Sequence, residues 1–186
     1  MISFGARCIS DTTIQKIDKG RALKADVPAS FVELDPFCES DLAAISSVGE
    51  RWHSDEGYGA CIANCMKYCS GPGAETEAPN LNFYAITRQN SDFENLSDED
   101  ILALAQVYSE NDGEKKIEYL EADPDNSYKS KADIRYAHAG SAMLDALKAL
   151  YCGEKIFLHS TTDAVKFYEN NHFNTSDTLT KEMYFC

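Results

Sequence analysis

The chain has 186 residues, 44% hydrophobic and 26% charged, with one Trp, ten Tyr and nine Phe, which suits one compact domain and excludes a disordered chain. Its formal charge of -14 speaks against nucleic acid as a partner, because phosphate-backbone binders present Lys and Arg to the polyanion. Excess acid serves solubility and also draws cationic partners such as polyamines, amino sugars or basic peptide segments.

No apolar run approaches the roughly 18 residues of a membrane span. The start MISFGARCIS lacks the charged and apolar regions of a signal peptide, so the expectation is a cytoplasmic protein with no membrane partner. The seven cysteines are odd in number and too sparse for a secreted disulfide scaffold, so they are read as reduced thiols.

Along the chain, residues 1–30 carry little periodicity, and apolar patches at Ile14 and Ile17 run into the turn-prone Asp18-Lys19-Gly20. This predicts an N-terminal arm or hairpin ahead of a domain at 31–186. Phe31 to Leu34 reads as a strand, and Leu42, Ile45, Val48 and Trp52 recur at helical spacing. Cys61, Ile62, Cys65, Met66 and Cys69 share a second helical face that stops at Ser70-Gly71-Pro72-Gly73. Leu81 to Thr87 and Ile101 to Tyr108 are read as strands, although Ser97-x-x-Asp100 also resembles a helix capping box. Asn111-Asp112-Gly113 offers the turn into a strand at Ile117 to Ala122. A polar connection from Asp123 to Ile134 precedes a helix at about Ser141 to Leu150, ended by Gly153. A strand at Lys155 to His159, a helix at Asp163 to Asn170 and an alternating strand at Thr178 to Phe185 complete the order.

The strand-loop-helix passage from Ile117 to Leu150 aims a loop containing Gly140 into a helix N-terminus. Unpaired backbone N–H groups and the helix dipole can receive a pyrophosphate there, and Gly lets the backbone approach closely.

Arg135-Tyr136-Ala137-His138-Ala139-Gly140, read with Ala164 to Phe173, resembles the GNAT superfamily of N-acetyltransferases. The first segment matches the family's pyrophosphate-loop pattern Q/R-x-x-G-x-G/A at Arg135 and Gly140, with His138 in place of the first Gly. The second matches A-x-x-x-Y-x-x-x-G-F at Ala164, Tyr168 and Phe173, with His172 in place of Gly and Thr161 where Asn commonly precedes the helix. The resemblance implies an α/β (α+β) fold with a mixed, mostly antiparallel sheet that splays beside the 117–122 strand and opens a cleft for acetyl-coenzyme A. It implies that Leu120, Glu121 and Ala122 flank the pantetheine and that Arg135, Tyr136, Ala137, His138, Ala139, Gly140 and Ser141 hold the pyrophosphate.

Acetyl transfer to an amine needs an unprotonated nucleophile, a polarised carbonyl and a proton for the departing thiolate. By resemblance Tyr168 supplies that proton; its other reading is an aromatic packing its helix against the sheet. Glu121 is the candidate base, through water, against a reading as solvated charge. The expected acceptor is a primary amine on a cationic small molecule or peptide. A non-catalytic acyl-coenzyme A sensor and an interaction protein with a vestigial cleft are the alternatives. No metal is expected: Cys61, Cys65 and Cys69 lack a fourth ligand and extend an apolar stripe. His53 and His159 likewise lack a ligand set; His53, beside Trp52, is read as an ordinary surface residue ahead of a reading in which it borders an acceptor cleft.

Overall fold

The computed structural model describes residues 5–52, 57–71, 80–110, 113–127 and 130–186. His53, Pro72-Gly73 and Asn111-Asp112, singled out above, lie outside them. The described strands are β1 (Arg7–Asp18), β2 (Leu23–Leu34), β3 (Leu81–Thr87), β4 (Ile101–Ser109), β5 (Lys115–Ala122), β6 (Ile134–Ala137), β7 (Ile156–His159), β8 (Asn174–Asp177) and β9 (Glu182–Phe185). The helices are α1 (Glu39–Trp52), α2 (Tyr58–Cys69), α3 (Ala139–Leu150) and α4 (Val165–Asn170). One sheet runs in the order β6-β1-β2-β3-β4-β5-β7-β9-β8, antiparallel throughout except for the parallel pair β5–β7. This is the mixed, mostly antiparallel architecture the sequence led us to expect.

Because successive strand side chains alternate between faces, β3 sends Phe83 and Ala85 to one core and Tyr84 and Ile86 to the other. The first core holds Ile45, Val48 and Trp52 of α1 and Ile62, Met66 and Cys69 of α2. The second holds Met143, Leu144 and Leu147 of α3 and Tyr168 of α4. Cys69 is thus a core residue, while Cys61 and Cys65 are half-buried.

Two stretches differ from the sequence reading, and a third takes one of the two forms it offered. The polar connection after β5 contains a 3-10 turn, Pro124–Asn126, and then a strand, β6, which pairs with the far end of β1. The N-terminal segment forms the β1–β2 hairpin, and β2 continues without a break from Leu23 through residue 30 to Leu34. Of the strand expected at Thr178 to Phe185 only β9 forms, because Asp177 accepts the Leu179 amide at 2.8 Å and the Thr180 hydroxyl at 3.0 Å and folds the start of that stretch into a turn; β8 precedes it.

Two features of β5 shape the site. Opposite β4, Gln106 pairs with Tyr119 and Val107 with Ile117, leaving Glu118 as the extra residue of a β-bulge. The bulge puts Ile117 and Leu120, three apart, against the same core, while Tyr119 packs with α1 and α2. On its other edge β5 pairs with β7 only from Lys115 to Ile117, then runs on to Ala122 without a β7 partner. The sheet therefore splays open at this strand, as expected.

Candidate functional site

The splay opens into a cavity of about 580 Å³. Leu120 and Ala122 of β5, Arg135 to Ala137 of β6, His138 to Ser141 at the start of α3 and Tyr168 of α4 line it. Nine of the ten residues that the resemblance set against the cofactor, all but Glu121, are therefore brought to one cavity together with Tyr168.

Glu121 is not among the lining residues. It lies on the other face of β5, where its carboxylate accepts the Gly59 amide at 2.6 Å in the first turn of α2. That face follows from strand alternation, since Leu120 and Ala122 flank it and point into the cavity.

The start of α3 is built to leave donors open. The first intrahelical bond runs from the Ala142 amide to the His138 carbonyl at 2.9 Å, so the amides of Ala139, Gly140 and Ser141 precede it and project from the helix end. No side chain caps them. At Gly140 an added Cβ would lie 3.2 Å from the Phe167 ring and 3.8 Å from the Ala122 Cβ, so α3, α4 and the tip of β5 converge closely here and a larger residue would have to push the Phe167 ring aside.

The wall opposite is braced. Asp123, buried, accepts the Asp125 amide at 3.0 Å and the Asn126 side chain at 2.9 Å, and Arg51 of α1 lies 3.3 Å away. Asn126 in turn accepts the Tyr136 amide at 2.5 Å. Arg88 donates to the Tyr136 hydroxyl at 2.8 Å and is itself paired with Asp100 at 2.5 Å.

Within a chain of charge -14 this cavity is locally cationic. Its charged lining residues are Lys24, Arg135 and Asp123, and Asp123 is engaged by Arg51. Arg135 has a buried Nε with no hydrogen-bond partner among the described residues. A larger cavity of about 890 Å³ lies elsewhere, lined by Glu33, Asp35, Asp92 and Glu94, with Arg7 as its cation. Arg7 is paired with Glu33 at 2.5 Å, so that cavity repels phosphate and the smaller one attracts it.

Tyr168 is 8% exposed. Its ring meets Phe167 and Phe173 edge to face, with centroids 5.1 and 5.9 Å apart. Its hydroxyl has no protein hydrogen-bond partner among the described residues. Burial, with a smaller contribution from Tyr58 of α2, pushes its pKa up to about 12. Tyr58 also lies against Tyr119, ring centroids 5.4 Å apart, so the open edge of β5 is flanked by tyrosines on both sides.

No family model matches the sequence, and no curated protein matches it. Solved structures do. A protein described as an acetyltransferase of the GNAT family from Desulfovibrio desulfuricans superposes with a TM-score of 0.55 at 13% identity, over 84% of this chain and 94% of its own. The chain has the GNAT acetyltransferase fold. AtaT, solved in complex with acetyl-methionyl-tRNAfMet, superposes with a TM-score of 0.52 at 10% identity, over 84% of this chain and 94% of its own.

Against the GNAT patterns, both histidines that replace glycine have left-handed backbone: His138 at φ +70 and His172 at φ +66. The conformation for which glycine is suited is kept although the residue has changed. Sequence reasoning missed Gln15, Ile17, Lys24, Asn126 and Phe167, which also line the cavity. Phe167, beside Tyr168 on a short helix, carried a signal; the hairpin residues carried none, because their place depends on pairing with β6.

Proposed function

We propose that this chain transfers an acetyl group from acetyl-coenzyme A to a primary amine. The observation that carries the reading is the meeting of three things in one cavity: the open amides of α3, an Arg135 with no ion-pair partner among the described residues, and Tyr168. The residues suit the donor. Amides at a helix start and an arginine without a carboxylate partner among the described residues match a pyrophosphate, and Gly140 lets the start of α3 pack close to Phe167 of α4.

In this reading acetyl-coenzyme A supplies an acyl thioester. The Ala139 to Ser141 amides and Arg135 hold its pyrophosphate, and the free edge of β5 aligns its pantetheine arm through backbone groups that β7 leaves unpaired. The amine nitrogen attacks the carbonyl carbon as the carbon–sulfur bond breaks. Tyr168 gives its proton to the departing sulfur and regains one from solvent. The amine's own proton leaves to water, and Glu121, on the same face of β5 as Tyr119 and turned toward α2, takes it up through that water.

The acceptor enters from this tyrosine-flanked side, and the chain's net charge of -14 draws a cation. AtaT was solved with an acetylated aminoacyl-tRNA, so the acceptor screen includes aminoacyl-tRNA beside polyamines, amino sugars and peptides. The test is thiol release from acetyl-coenzyme A across that screen. Acceptor-dependent release supports transfer. Tight binding of coenzyme A without release with any acceptor would establish the sensing module instead, and no binding would leave the cavity vestigial.

A further inference from the structure

The β1–β2 hairpin reaches the donor cavity through a single row of side chains. Ile17 of β1 is directly opposite Lys24 of β2 on one side and Arg135 of β6 on the other. Directly opposed residues share a face, and all three line the cavity; of the adjacent row, Tyr136 of β6, opposite Lys16, also lines it, whereas the hairpin's own Lys16 and Ala25 do not. The next residue on that face, Gln15, pairs with Ala137, and both also line it. The reverse face of the hairpin carries Ile14, 2% exposed, into the core. The hairpin is therefore two-sided, one face packed and one turned to the cavity.

Two strand spacings separate Lys24 from Arg135, about 10 Å. No carboxylate of the described residues forms an ion pair with either cation. The turn is tied down: the Lys19 amide donates to Asp133 and its ammonium to the Ser130 carbonyl, both at 2.8 Å. Two cations held apart on a fixed row, one beside the α3 amides and one at the exposed rim, match a ligand with two separated phosphate groups rather than one.

We infer that the hairpin is the nucleotide-end wall of the donor site, with Lys24 binding the terminal 3′-phosphate of coenzyme A while Arg135 and the start of α3 hold its pyrophosphate. The inference rests on the acetyl-coenzyme A reading above. It assigns the N-terminal hairpin a part in ligand selection.

The test is calorimetric titration of the full chain with coenzyme A and with 3′-dephospho-coenzyme A. Wild-type protein should bind coenzyme A about 5- to 10-fold more tightly, the size of one charge-assisted contact at an exposed rim. Lys24→Ala should remove that preference by weakening coenzyme A alone, Lys24→Arg should keep it, and Arg135→Ala should weaken both ligands. Lys24 is exposed, so the Lys24 variants should melt with the wild type, which separates a binding loss from a folding defect. A preference that survives Lys24→Ala, equal weakening of both ligands, or no preference in the wild type overturns the hairpin assignment and leaves the donor reading intact. Failure of the wild type to bind either ligand overturns both.

Discussion

The Phe173 amide donates to the Tyr168 carbonyl at 3.0 Å, and the two rings meet edge to face with centroids 5.9 Å apart. Between them the His172 amide donates to Glu169 at 3.0 Å, and His172 itself is left-handed at φ +66. This is a Schellman closure of α4, with its hydrophobic contact between the last helical turn and the residue beyond the cap. The motif spacing Y-x-x-x-G-F is thus the spacing of a helix stop, and it seats the ring of the proposed proton donor.

Left-handed backbone costs an L residue about 1–2 kcal/mol, offset in part by the extra freedom glycine loses on folding, about 0.5–1 kcal/mol. His172→Gly should therefore stabilise the fold by about 0.5–1 kcal/mol, a rise of about 1–4 °C in melting temperature. Thermal denaturation checks this. A lower melting temperature would show that the imidazole makes contacts outweighing the strain.

His138→Gly should shift stability in the same direction, because His138 is left-handed at φ +70. It also removes a Cβ from the cavity lining, so coenzyme A affinity should hold or rise. Weaker binding in this variant would make the imidazole a phosphate donor.

Tyr168→Phe should lower turnover about 10- to 10⁴-fold while leaving coenzyme A affinity near wild type, since the ring packing stays. Burial lifts the Tyr168 pKa from its ordinary 10.0 to about 12, so the donor is more than about nine-tenths protonated up to roughly pH 11. Turnover should rise with pH as the amine loses its proton, without a descending limb below pH 10 from Tyr168. A decline near neutral pH would assign proton donation to another group.

Gly140→Asp should abolish the melting shift caused by acetyl-coenzyme A. It sets a carboxylate against the α3 amides and drives a Cβ to 3.2 Å from Phe167, so the unliganded protein should also melt lower. An unchanged ligand shift would move the donor to another cavity.

Asp41, fully buried in α1, has its carboxyl pushed up from an ordinary 3.8 to about 6 by burial, with hydrogen bonds from the Asp35 and Ala6 amides opposing the rise. The folded chain then holds this proton more tightly than the unfolded chain. Stability from this group is full below about pH 4, falls as pH climbs to about 6 and is level above, a change on the order of 3 kcal/mol. Asp41→Asn should flatten that segment of the profile and stabilise the protein at pH 7. Chemical denaturation from pH 4 to 7 decides; a slope identical to wild type would place the titration elsewhere.

Local chemistry was enough for much of this molecule. The apolar spacing of Ile45, Val48 and Trp52, the stripe of Ile62, Met66 and Cys69 and the run Met143, Leu144 and Leu147 each announce a buried helix face, because residues three and four apart meet within one element. The same holds for the start of α3 and the stop of α4, whose residues are sequence neighbours. Strand pairing is different, since its partners lie far apart in the chain and a slip of one residue reverses every side chain. The Glu118 bulge exists only relative to β4, and β6, four residues without a period of their own, exists only against β1. Glu121 turns toward α2 and Lys24 joins Arg135 at the cavity for that reason: long-range pairing, settled by how the sheet and its helices pack as a whole, sets which face each residue shows.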